Sequence, residues 1–454
     1  MNIDFATRAY DHGFRLDPIV RSLLDTDFYK LLMQQFIWER YPNEIVRFKT
    51  NNRTKSVKIA ECVDIDELRK QLDHARTLRF TSTELVWLRG QTFYEKKGIF
   101  KKGYIETLRT FQLPAYELSV GDDGQFVLTS EGPWWQTTMW EIPFLTIINE
   151  LRFRTLMRGM TKGDLDIMFA QAKVKLYRKL KRLQSLPNLK FSDFGTRRRF
   201  GFLWQEYCVK LAKEMLGPKM VGTSNVLLAF QNDMEPIGTN AHELPMVFAA
   251  LARQKNPEDA EALRKSQYEV LHQWSNQYHD NLLVFLPDTF GTTQFLENAP
   301  WEVSLWKGAR PDSKEPIEGG EELIRYWKRA GDDDAKIAKS RLVVAADGLD
   351  VEIDGFEVNG SDIPTIYEHF DGRVPVSFGM GTNLTCDFIG CHPGEDPDLM
   401  RSISIVAKVD RVNMTTPAVK LSDNFNKATG DPKEVDHYRE VFGVEGVANA
   451  KVRV

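Results

Sequence analysis

The chain has 454 residues, of which 42% are hydrophobic and 27% are charged. Its 30 glycines and 20 prolines are scattered rather than clustered, which excludes collagen-like and low-complexity proteins. The 64 acidic residues outnumber the 60 Lys and Arg residues, so the formal net charge is −4. The protein as a whole therefore lacks the positive charge that attracts nucleic acid, and any site for anions must be local.

The sequence gives no indication of export or of membrane insertion. The segment Met1 to Phe14 has no continuous apolar region of the kind that secretory signals contain. Apolar runs such as 282–286 are much shorter than the ~20 residues that a membrane helix needs. Four cysteines are too few for a disulfide framework in a chain of this length and fit a reducing compartment. We therefore expect a cytoplasmic protein that does not bind membranes.

Residues 1–140 have the pattern of an α+β domain. Two segments have helical periodicity, and three alternate apolar and polar residues as strands do. The predicted helices span 22–41, entered through Asp25-Thr26-Asp27, and 64–76. The predicted strands span 46–51, 115–120 and 125–129.

After Trp140 the sequence repeats an apolar stretch, a polar loop and a helical stretch. Strands that alternate with helices indicate a parallel sheet with right-handed crossovers, and polar residues just past the strand ends are typical of α/β barrels. Because no Rossmann-type fingerprint dominates, we favour an irregular parallel α/β barrel over an open doubly wound sheet. The barrel is predicted over 141–415, and a C-terminal extension over 416–454 is predicted to pack on the N-terminal domain. The clearest buried strands are predicted over 282–286, 342–345 and 375–378.

The most basic stretch, residues 173–182, lies in a predicted amphipathic helix. Thr161 and Asp164 have the spacing of a capping box, and apolar residues recur at helical spacing after them. We interpret the basic residues as the solvated face of this helix. The alternative, a nucleic-acid or membrane-surface site, requires an excess of positive charge and interleaved aromatic residues, which this sequence does not have.

Two loops combine an arginine with other groups that suit small anionic ligands. In the first loop Phe194 precedes Arg197, and in the second Arg310 precedes Asp312. The planar guanidinium matches a phosphate or carboxylate with two hydrogen bonds, and a phenyl ring stacks on a flat ligand. Asp312 is a candidate for holding a metal-bound or hydroxyl-bearing group. The alternative for either loop alone is a turn with a surface salt bridge.

Three further loops carry candidate functional residues. The loop Gly379-Met380-Gly381-Thr382 follows a predicted strand, and its backbone N–H groups suit a monoester phosphate. Asp288 and Asp347 each follow an apolar run and are candidates for binding ribose hydroxyls or Mg²⁺, with helix capping as the alternative. His242, in the loop 238–243, is a candidate general base, metal ligand or nucleophile toward phosphorus.

Six motifs follow one another in order over residues 22–424, nearly the whole chain. They are Asp25-Thr-Asp-Phe-Tyr-Lys30, Asp193-Phe-Gly-Thr-Arg-Arg198, Gly222-Thr-Ser-Asn225, Gly238-Thr-Asn-Ala-His-Glu243, Arg310-Pro-Asp-Ser313 and Phe378-Gly-Met-Gly-Thr382. Together they resemble the ordered motifs of the nicotinate phosphoribosyltransferase family. The related nicotinamide and quinolinate enzymes share the barrel, but the second and fourth motifs are most similar to the nicotinate branch.

The resemblance implies that nicotinate and 5-phosphoribosyl 1-diphosphate react to give nicotinate mononucleotide and diphosphate. It implies that ATP hydrolysis is coupled to this transfer through a transient phosphohistidine at His242, and that Mg²⁺ is held mainly by the substrate diphosphate. It also implies an N-terminal domain completed by later chain and a homodimer with shared active sites. Tyr29 would then come from the neighbouring subunit and stack with Phe194 around the pyridine ring.

The resemblance also implies roles for residues of the other motifs and loops. Three carboxylates, Asp288, Asp312 and Asp347, are expected near the positive charge that develops on the ribose in the transition state. Arg197 and Arg310 are expected to bind the nicotinate carboxylate and the diphosphate. The full set of implied substrate-binding residues is Asp27, Tyr29, Phe194, Arg197, Thr223, Arg310, Ser313, Gly379, Gly381 and Thr382.

A nicotinamide-specific relative is the nearest alternative function. Ser224 stands where nicotinamide relatives carry an acid, and an acid there would repel nicotinate, so an anionic substrate is favoured. The other alternative, a non-catalytic nucleic-acid binder, conflicts with the net charge and with the ordered loops. We therefore expect small-molecule partners and no nucleic acid.

Overall fold

The computed structural model describes residues 17–92 and 98–449. The prediction that Met1 to Phe14 is not a secretory signal concerns residues outside these ranges. Within them, no helix combines the length and the apolar character that a membrane span requires.

Helices and strands alternate over most of the described chain. The helices are α1 (Phe28–Arg40), α2 (Ile59–Cys62), α3 (Ile65–Thr77), α4 (Ser82–Gly90), α5 (Lys102–Leu108), α6 (Trp134–Thr137), α7 (Glu141–Met157), α8 (Lys162–Gln184), α9 (Phe202–Leu216), α10 (Val226–Asn232), α11 (Glu243–Lys255), α12 (Ala260–Ser275), α13 (Thr292–Glu297), α14 (Pro316–Arg329), α15 (Asp334–Ser340), α16 (Ile363–Phe370), α17 (Thr382–Thr385) and α18 (Pro432–Phe442). The strands are β1 (Ile45–Asn52), β2 (Glu117–Val120), β3 (Phe126–Pro133), β4 (Phe191–Asp193), β5 (Met220–Thr223), β6 (Glu235–Pro236), β7 (Val284–Phe285), β8 (Gly308–Ala309), β9 (Leu342–Ala345), β10 (Leu349–Asp350), β11 (Ser361–Asp362), β12 (Val376–Met380), β13 (Ile405–Val412) and β14 (Thr416–Pro417).

An antiparallel sheet joins distant parts of the chain in the order β14-β13-β1-β3-β2. Alternate residues of β1, among them Val46 and Phe48, are buried, as expected for a strand with one face against a core. The strands predicted in the first 140 residues are confirmed as β1, β2 and β3. The sequence pattern could not show that β1 pairs with β13, because this pairing joins residues more than 350 positions apart.

Local capping chemistry explains where several helices begin. Asp64 accepts hydrogen bonds from two N–H groups in the first turn of α3, and Thr161 and Asp164 form the predicted capping box of α8. The first predicted helix begins later than residue 22. It starts at Phe28 because Asp27 pairs with Asn225 as an isolated β-bridge.

The second sheet, as far as the described residues show it, has seven parallel strands in the order β6-β5-β4-β12-β9-β8-β7. Across the gap between the two end strands, the Asn240 side-chain amide donates a hydrogen bond to the Val284 carbonyl oxygen (3.3 Å). The three clearest strand predictions are confirmed as β7, β9 and β12. The predicted irregular α/β barrel with an N-terminal α+β domain is therefore confirmed.

The predicted domain limits of 1–140, 141–415 and 416–454 stay a prediction. The strand β13 lies in the antiparallel sheet, although the predicted limits assign it to the barrel. After β14, which pairs with β13, the chain returns to the barrel, where Phe442 of α18 stacks on Phe290 with ring centroids 4.4 Å apart. The C-terminal segment therefore contacts both parts of the molecule.

The basic helix α8 differs in one respect from its sequence-based interpretation. Lys175 and Lys179 are only 1% and 3% exposed, and both make ion pairs with Asp387. The interpretation of the stretch as a solvated face is wrong for these two lysines. Their spacing of four residues places them one turn apart on the same, buried side of the helix.

Candidate functional site

The loops singled out in the sequence meet in one pocket, here called the central pocket. The sequence-predicted residues that line it are Tyr29, Phe194, Arg197, His242, Arg310, Asp312, Asp347, Gly381 and Thr382. The strands β4, β8, β9 and β12 each place a loop there, because parallel strands end at the same edge of a sheet. Motifs that are far apart in the chain thus form a single site.

The central pocket concentrates positive charge. Its lining includes seven cationic side chains (Arg53, Arg197, Arg198, Arg310, Lys408, Lys420 and Lys427) and three carboxylates (Glu141, Asp312 and Asp347). Such a local excess attracts small polyanions even though the whole chain is negatively charged. The central pocket is therefore the local anion site that the composition calls for.

One part of the central pocket is aromatic and contains Tyr29 and Phe194. Two glycines make room for these residues, Gly238 for the Tyr29 backbone and Gly379 for the Phe194 ring. A Cβ on Gly238 would lie 2.9 Å from the Tyr29 backbone nitrogen, and a Cβ on Gly379 would lie 2.7 Å from the Phe194 ring. Gly379 therefore lies behind Phe194, whereas Gly381 lines the central pocket itself.

Tyr29 belongs to the same chain as the rest of the central pocket. Its hydroxyl donates a hydrogen bond to Glu141 Oε2 (3.4 Å). The start of α1 is fastened to the barrel because the Phe28 N–H donates to the Ser224 carbonyl oxygen (2.8 Å). The expectation that Tyr29 reaches the site from a neighbouring subunit is therefore corrected: the N-terminal domain folds against its own barrel.

Asp27 holds Arg197 from behind the aromatic part. One of its carboxylate oxygens lies 3.6 Å from Arg197 Nε, and the other accepts a hydrogen bond from Ser224 Oγ (2.8 Å). Burial raises the pKa of Asp27, and the nearby Arg197 opposes that shift. Asp27 orients the guanidinium and does not itself line the central pocket.

Thr223 likewise lies behind the wall of the central pocket and is fully buried. Its hydroxyl donates a hydrogen bond to Asp193 Oδ2 (2.7 Å), and Asp193 Oδ1 accepts one from the Gly195 N–H (2.8 Å). Thr223 therefore supports the loop that carries Phe194 and Arg197.

His242 is surrounded by three oxygen-bearing side chains. Its Nδ1 is 2.9 Å from Thr289 Oγ1, and its Nε2 is 3.4 Å from Asp312 Oδ2 and 3.6 Å from Asp288 Oδ2. Burial lowers the pKa of His242 to about 4, so the imidazole is neutral at pH 7. A neutral ring at the edge of an anion pocket can act as a nucleophile.

The two carboxylates beside His242 are ionised. Although burial opposes the shift, Arg310 and His242 hold the pKa of Asp312 well below its usual range. The pKa of Asp288 is also lowered, because His242 and Lys420 outweigh the effect of burial. Both carboxylates therefore carry negative charge at neutral pH.

Asp288 is completely buried behind the central pocket. Ser313 Oγ donates a hydrogen bond to its Oδ2 (2.7 Å), whereas its Oδ1 has no hydrogen-bond partner among the described residues. Ser313 therefore orients Asp288 and is not part of the pocket lining.

Asp347 lies on the loop after β9 and makes an ion pair with Lys427. Burial raises the pKa of Asp347, and Lys427 opposes that shift. The Asn383 amide donates a hydrogen bond to the Leu349 carbonyl oxygen (2.8 Å), which joins the Asp347 loop to the loop after β12. The two loops therefore form one continuous part of the wall.

Sequence reasoning missed three lysines that line the central pocket. Lys408 comes from β13, and Lys420 and Lys427 come from the segment after β14. A lysine within the apolar pattern Ile405–Val412 is a local signal that could have identified Lys408. No such signal marks Lys420 and Lys427, because only the return of the chain to the barrel brings them to the site.

Comparison with known proteins assigns both parts of the chain. Residues 24–149 match the family model described as nicotinate phosphoribosyltransferase (NAPRTase) N-terminal domain, and residues 189–446 match the nicotinate phosphoribosyltransferase (NAPRTase) family. The nicotinate phosphoribosyltransferase structure from Vibrio cholerae is similar over 95% of each chain, with 27% identity and a TM-score of 0.77. The one from Porphyromonas gingivalis is similar over 94% of this chain and 100% of its own, with 26% identity and a TM-score of 0.75.

Proposed function

Because the chain belongs to the nicotinate phosphoribosyltransferase family, we propose that it forms nicotinate mononucleotide and diphosphate from nicotinate and 5-phosphoribosyl 1-diphosphate, with ATP hydrolysis coupled to the transfer. The enzyme is a transferase of pyridine nucleotide and NAD biosynthesis. The observation that carries the proposal is one central pocket in which an arginine beside aromatic rings, an excess of cations and a neutral histidine meet.

The aromatic part supports a pyridine carboxylate as the acceptor. Phe194 and Tyr29 offer ring faces to a flat heterocycle, and Arg197 offers two parallel N–H donors to its carboxylate. Asp27 holds the guanidinium, and Ser224 occupies the other oxygen of Asp27. The carboxylate of nicotinate would give Arg197 a second anionic partner beside Asp27, and the uncharged amide of nicotinamide would not, so this arrangement favours nicotinate.

The remaining wall supports a sugar carrying several phosphate groups. The loop Gly381–Thr382 offers backbone N–H groups to the 5-phosphate. The positive charge of Arg310 would offset the negative charge of the diphosphate. Displacement at the anomeric carbon develops positive charge on the ribose ring. Asp312 and Asp347 are carboxylates suited to stabilise that charge.

We expect Mg²⁺ to enter the site with the diphosphate. Asp312 lines the central pocket, and Asp288 behind it has a buried oxygen without a hydrogen-bond partner in the described chain. Carboxylate oxygens are the ligands that Mg²⁺ prefers, and few are needed when substrate phosphates supply the others. A metal held by these carboxylates would supply positive charge to neutralise the leaving diphosphate.

His242 is the group we propose to link ATP to the transfer. Its Nε2 attacks the γ-phosphorus of ATP, a P–N bond forms, the bond to the β-phosphate oxygen breaks, and ADP leaves. This requires the tautomer that carries its proton on Nδ1, where Thr289 Oγ1 can accept the hydrogen bond. The phosphorylated ring would then add negative charge beside the diphosphate site.

Thr289→Val tests this assignment of the tautomer. The substitution keeps the shape of the side chain and removes the hydroxyl beside His242, while the Thr289 backbone carbonyl, which accepts from the Leu421 N–H (2.9 Å), is unchanged. We expect phosphorylation of His242 to slow by about 3- to 10-fold, the effect of one neutral hydrogen bond. The measurement is single-turnover incorporation of ³²P from [γ-³²P]ATP, and an unchanged rate would remove Thr289 from the mechanism.

The charge of Lys408 makes substrate capture dependent on pH. Burial lowers the pKa of Lys408 to about 8, and Glu141, 3.7 Å away, opposes that shift. The ammonium is charged below about pH 8 and neutral above it. We therefore expect kcat/KM to fall by up to about tenfold per pH unit once the pH exceeds about 8. In Lys408→Arg the guanidinium keeps its charge, and the fall should move to higher pH. Identical pH profiles for the two proteins would contradict this role.

The direct test of the proposed function is a product assay. Purified protein, nicotinate, 5-phosphoribosyl 1-diphosphate and Mg²⁺ should yield nicotinate mononucleotide, and ATP should raise the rate. No product with or without ATP would refute the proposal. The homodimer stays a prediction, and sedimentation of the active protein would test it.

A further inference from the structure

One buried lysine of α8, Lys179, contacts residues in or beside two loops that line the central pocket. Lys179 makes ion pairs with Asp350 and Asp387 and donates a hydrogen bond to the Asn383 carbonyl oxygen (3.2 Å). Although burial opposes the shift, Asp387 and Asp350 raise the pKa of Lys179, so the ammonium is charged at neutral pH. The side chain is therefore a buried cation fixed by three oxygen-bearing groups.

Two of the three partners of Lys179 belong to loops of the central pocket or lie next to them. Asp350 follows Asp347 by three residues, and Asn383 follows Thr382. Asp350 is itself fixed, because its Oδ2 accepts a hydrogen bond from the Asn359 N–H (2.7 Å). Lys179 therefore joins the loop 347–350 to the loop 381–383.

We propose that Lys179 is a positioning residue that sets the separation between the loop 347–350 and the loop 381–383. This inference rests on the proposed function, in which both loops bind the phosphoribosyl part of one substrate. Because the loops contact the same molecule, their separation has to match the distance between its groups. Lys179 thereby determines the affinity for 5-phosphoribosyl 1-diphosphate and not the affinity for nicotinate.

The physical reason lies in the cost of separating buried charges. Without the Lys179 ammonium, Asp350 loses a buried counterion, and among the described residues Lys175 is the counterion that Asp387 keeps. The carboxylates would then draw in water or move apart, and the loops that carry them would follow. The hydrogen bonds and ion pairs of Lys179 in the described part of the chain go to Asp350, Asn383 and Asp387 and not to Tyr29, Phe194 or Arg197, so nicotinate binding should be preserved.

The test compares Lys179→Met with the wild-type enzyme. We expect the KM for 5-phosphoribosyl 1-diphosphate to rise by at least about tenfold, because even a small displacement of the two loops would move their binding groups away from the substrate. The KM for nicotinate should be unchanged. Equal changes in both KM values, or no change in either, would overturn the inference.

Lys175→Met is the matched control for a merely structural effect. Lys175 is equally buried in the same helix and pairs with Asp387 and the Ile389 carbonyl oxygen, and no hydrogen bond or ion pair links it to either loop among the described residues. This variant should lose thermal stability and keep both KM values. A rise in the KM for 5-phosphoribosyl 1-diphosphate equal to that of Lys179→Met would overturn the inference.

A second variant, Lys179→Gln, covers the case in which Lys179→Met does not fold. It keeps N–H donors, removes the charge and should give the same selective rise in the KM for 5-phosphoribosyl 1-diphosphate, though a smaller one. Folding is checked by circular dichroism and thermal unfolding. If the wild-type enzyme forms no product, the proposed function fails. If the wild-type enzyme is active but the KM for 5-phosphoribosyl 1-diphosphate is the same in the variant, only the inference about Lys179 fails.

Discussion

We expect Arg197→Met to lower kcat/KM for nicotinate by a factor of about 30 to several thousand, which corresponds to about 2–5 kcal/mol for truncating one member of a charge pair that nicotinate binding would bury. The guanidinium lines the central pocket beside Phe194 and is held by Asp27. Methionine keeps the apolar stem and removes all five N–H donors. Initial rates at varied nicotinate concentration measure the effect.

Two comparisons separate this role from general damage to the fold. Arg197→Lys keeps the charge but loses the planar fork, so it should recover only part of the activity. Nicotinamide has no negative charge, so Arg197→Met should lower the rate with nicotinate far more than any rate with nicotinamide. A parallel loss with both acceptors would contradict the assignment of Arg197 to the carboxylate.

His242→Ala should abolish ATP hydrolysis, with a loss of at least about 1,000-fold, because the group that receives the phosphoryl is gone. Transfer without ATP should persist at a residual rate, since the groups that we assign to nicotinate and to the phosphoribosyl substrate are untouched. The readouts are ³²P incorporation from [γ-³²P]ATP and product formation with and without ATP.

The control for this prediction is His272→Ala. His272 is exposed on α12, and its Nε2 lies 3.4 Å from Asn276 Nδ2 on the same face. Its substitution should leave ATP stimulation intact. If His242→Ala retained its dependence on ATP, the phosphohistidine would have to be abandoned.

The sequence predicted those parts of the site that depend on local order along the chain. Phe194, Arg310 and Asp347 each lie on a loop that follows a short barrel strand, and parallel strands bring such loops together whatever their separation in sequence. The same reasoning identified the loop after β12. It could not separate Gly379, which makes room for the Phe194 ring, from Gly381, which lines the central pocket.

The parts that could not be predicted depend on contacts between distant segments. Lys420 and Lys427 reach the central pocket because the chain returns to the barrel after β14, and no residue pattern near them encodes that path. Tyr29 lies in the site of its own chain because the Asp27–Asn225 bridge ties the two segments together. A single sequence does not reveal such pairings.

The basic stretch of α8 shows a further limit of pattern reasoning. A lysine at helical spacing usually lies in solvent, and the acidic partners that allow Lys179 to be buried lie more than 170 residues away in sequence. Charge pattern alone therefore assigned this lysine to the wrong face. The buried ion pairs became visible only with the tertiary structure.

The selection of nicotinate as acceptor is the central claim, and a competition assay tests it most directly. Equal concentrations of isotopically labelled nicotinate and nicotinamide are incubated with the enzyme, 5-phosphoribosyl 1-diphosphate, Mg²⁺ and ATP, and both mononucleotides are quantified by mass spectrometry. Asp27 holds Arg197 with one carboxylate oxygen and accepts a hydrogen bond from Ser224 with the other. From this arrangement we predict that nicotinate mononucleotide is the dominant product. Equal or greater formation of nicotinamide mononucleotide would contradict the account.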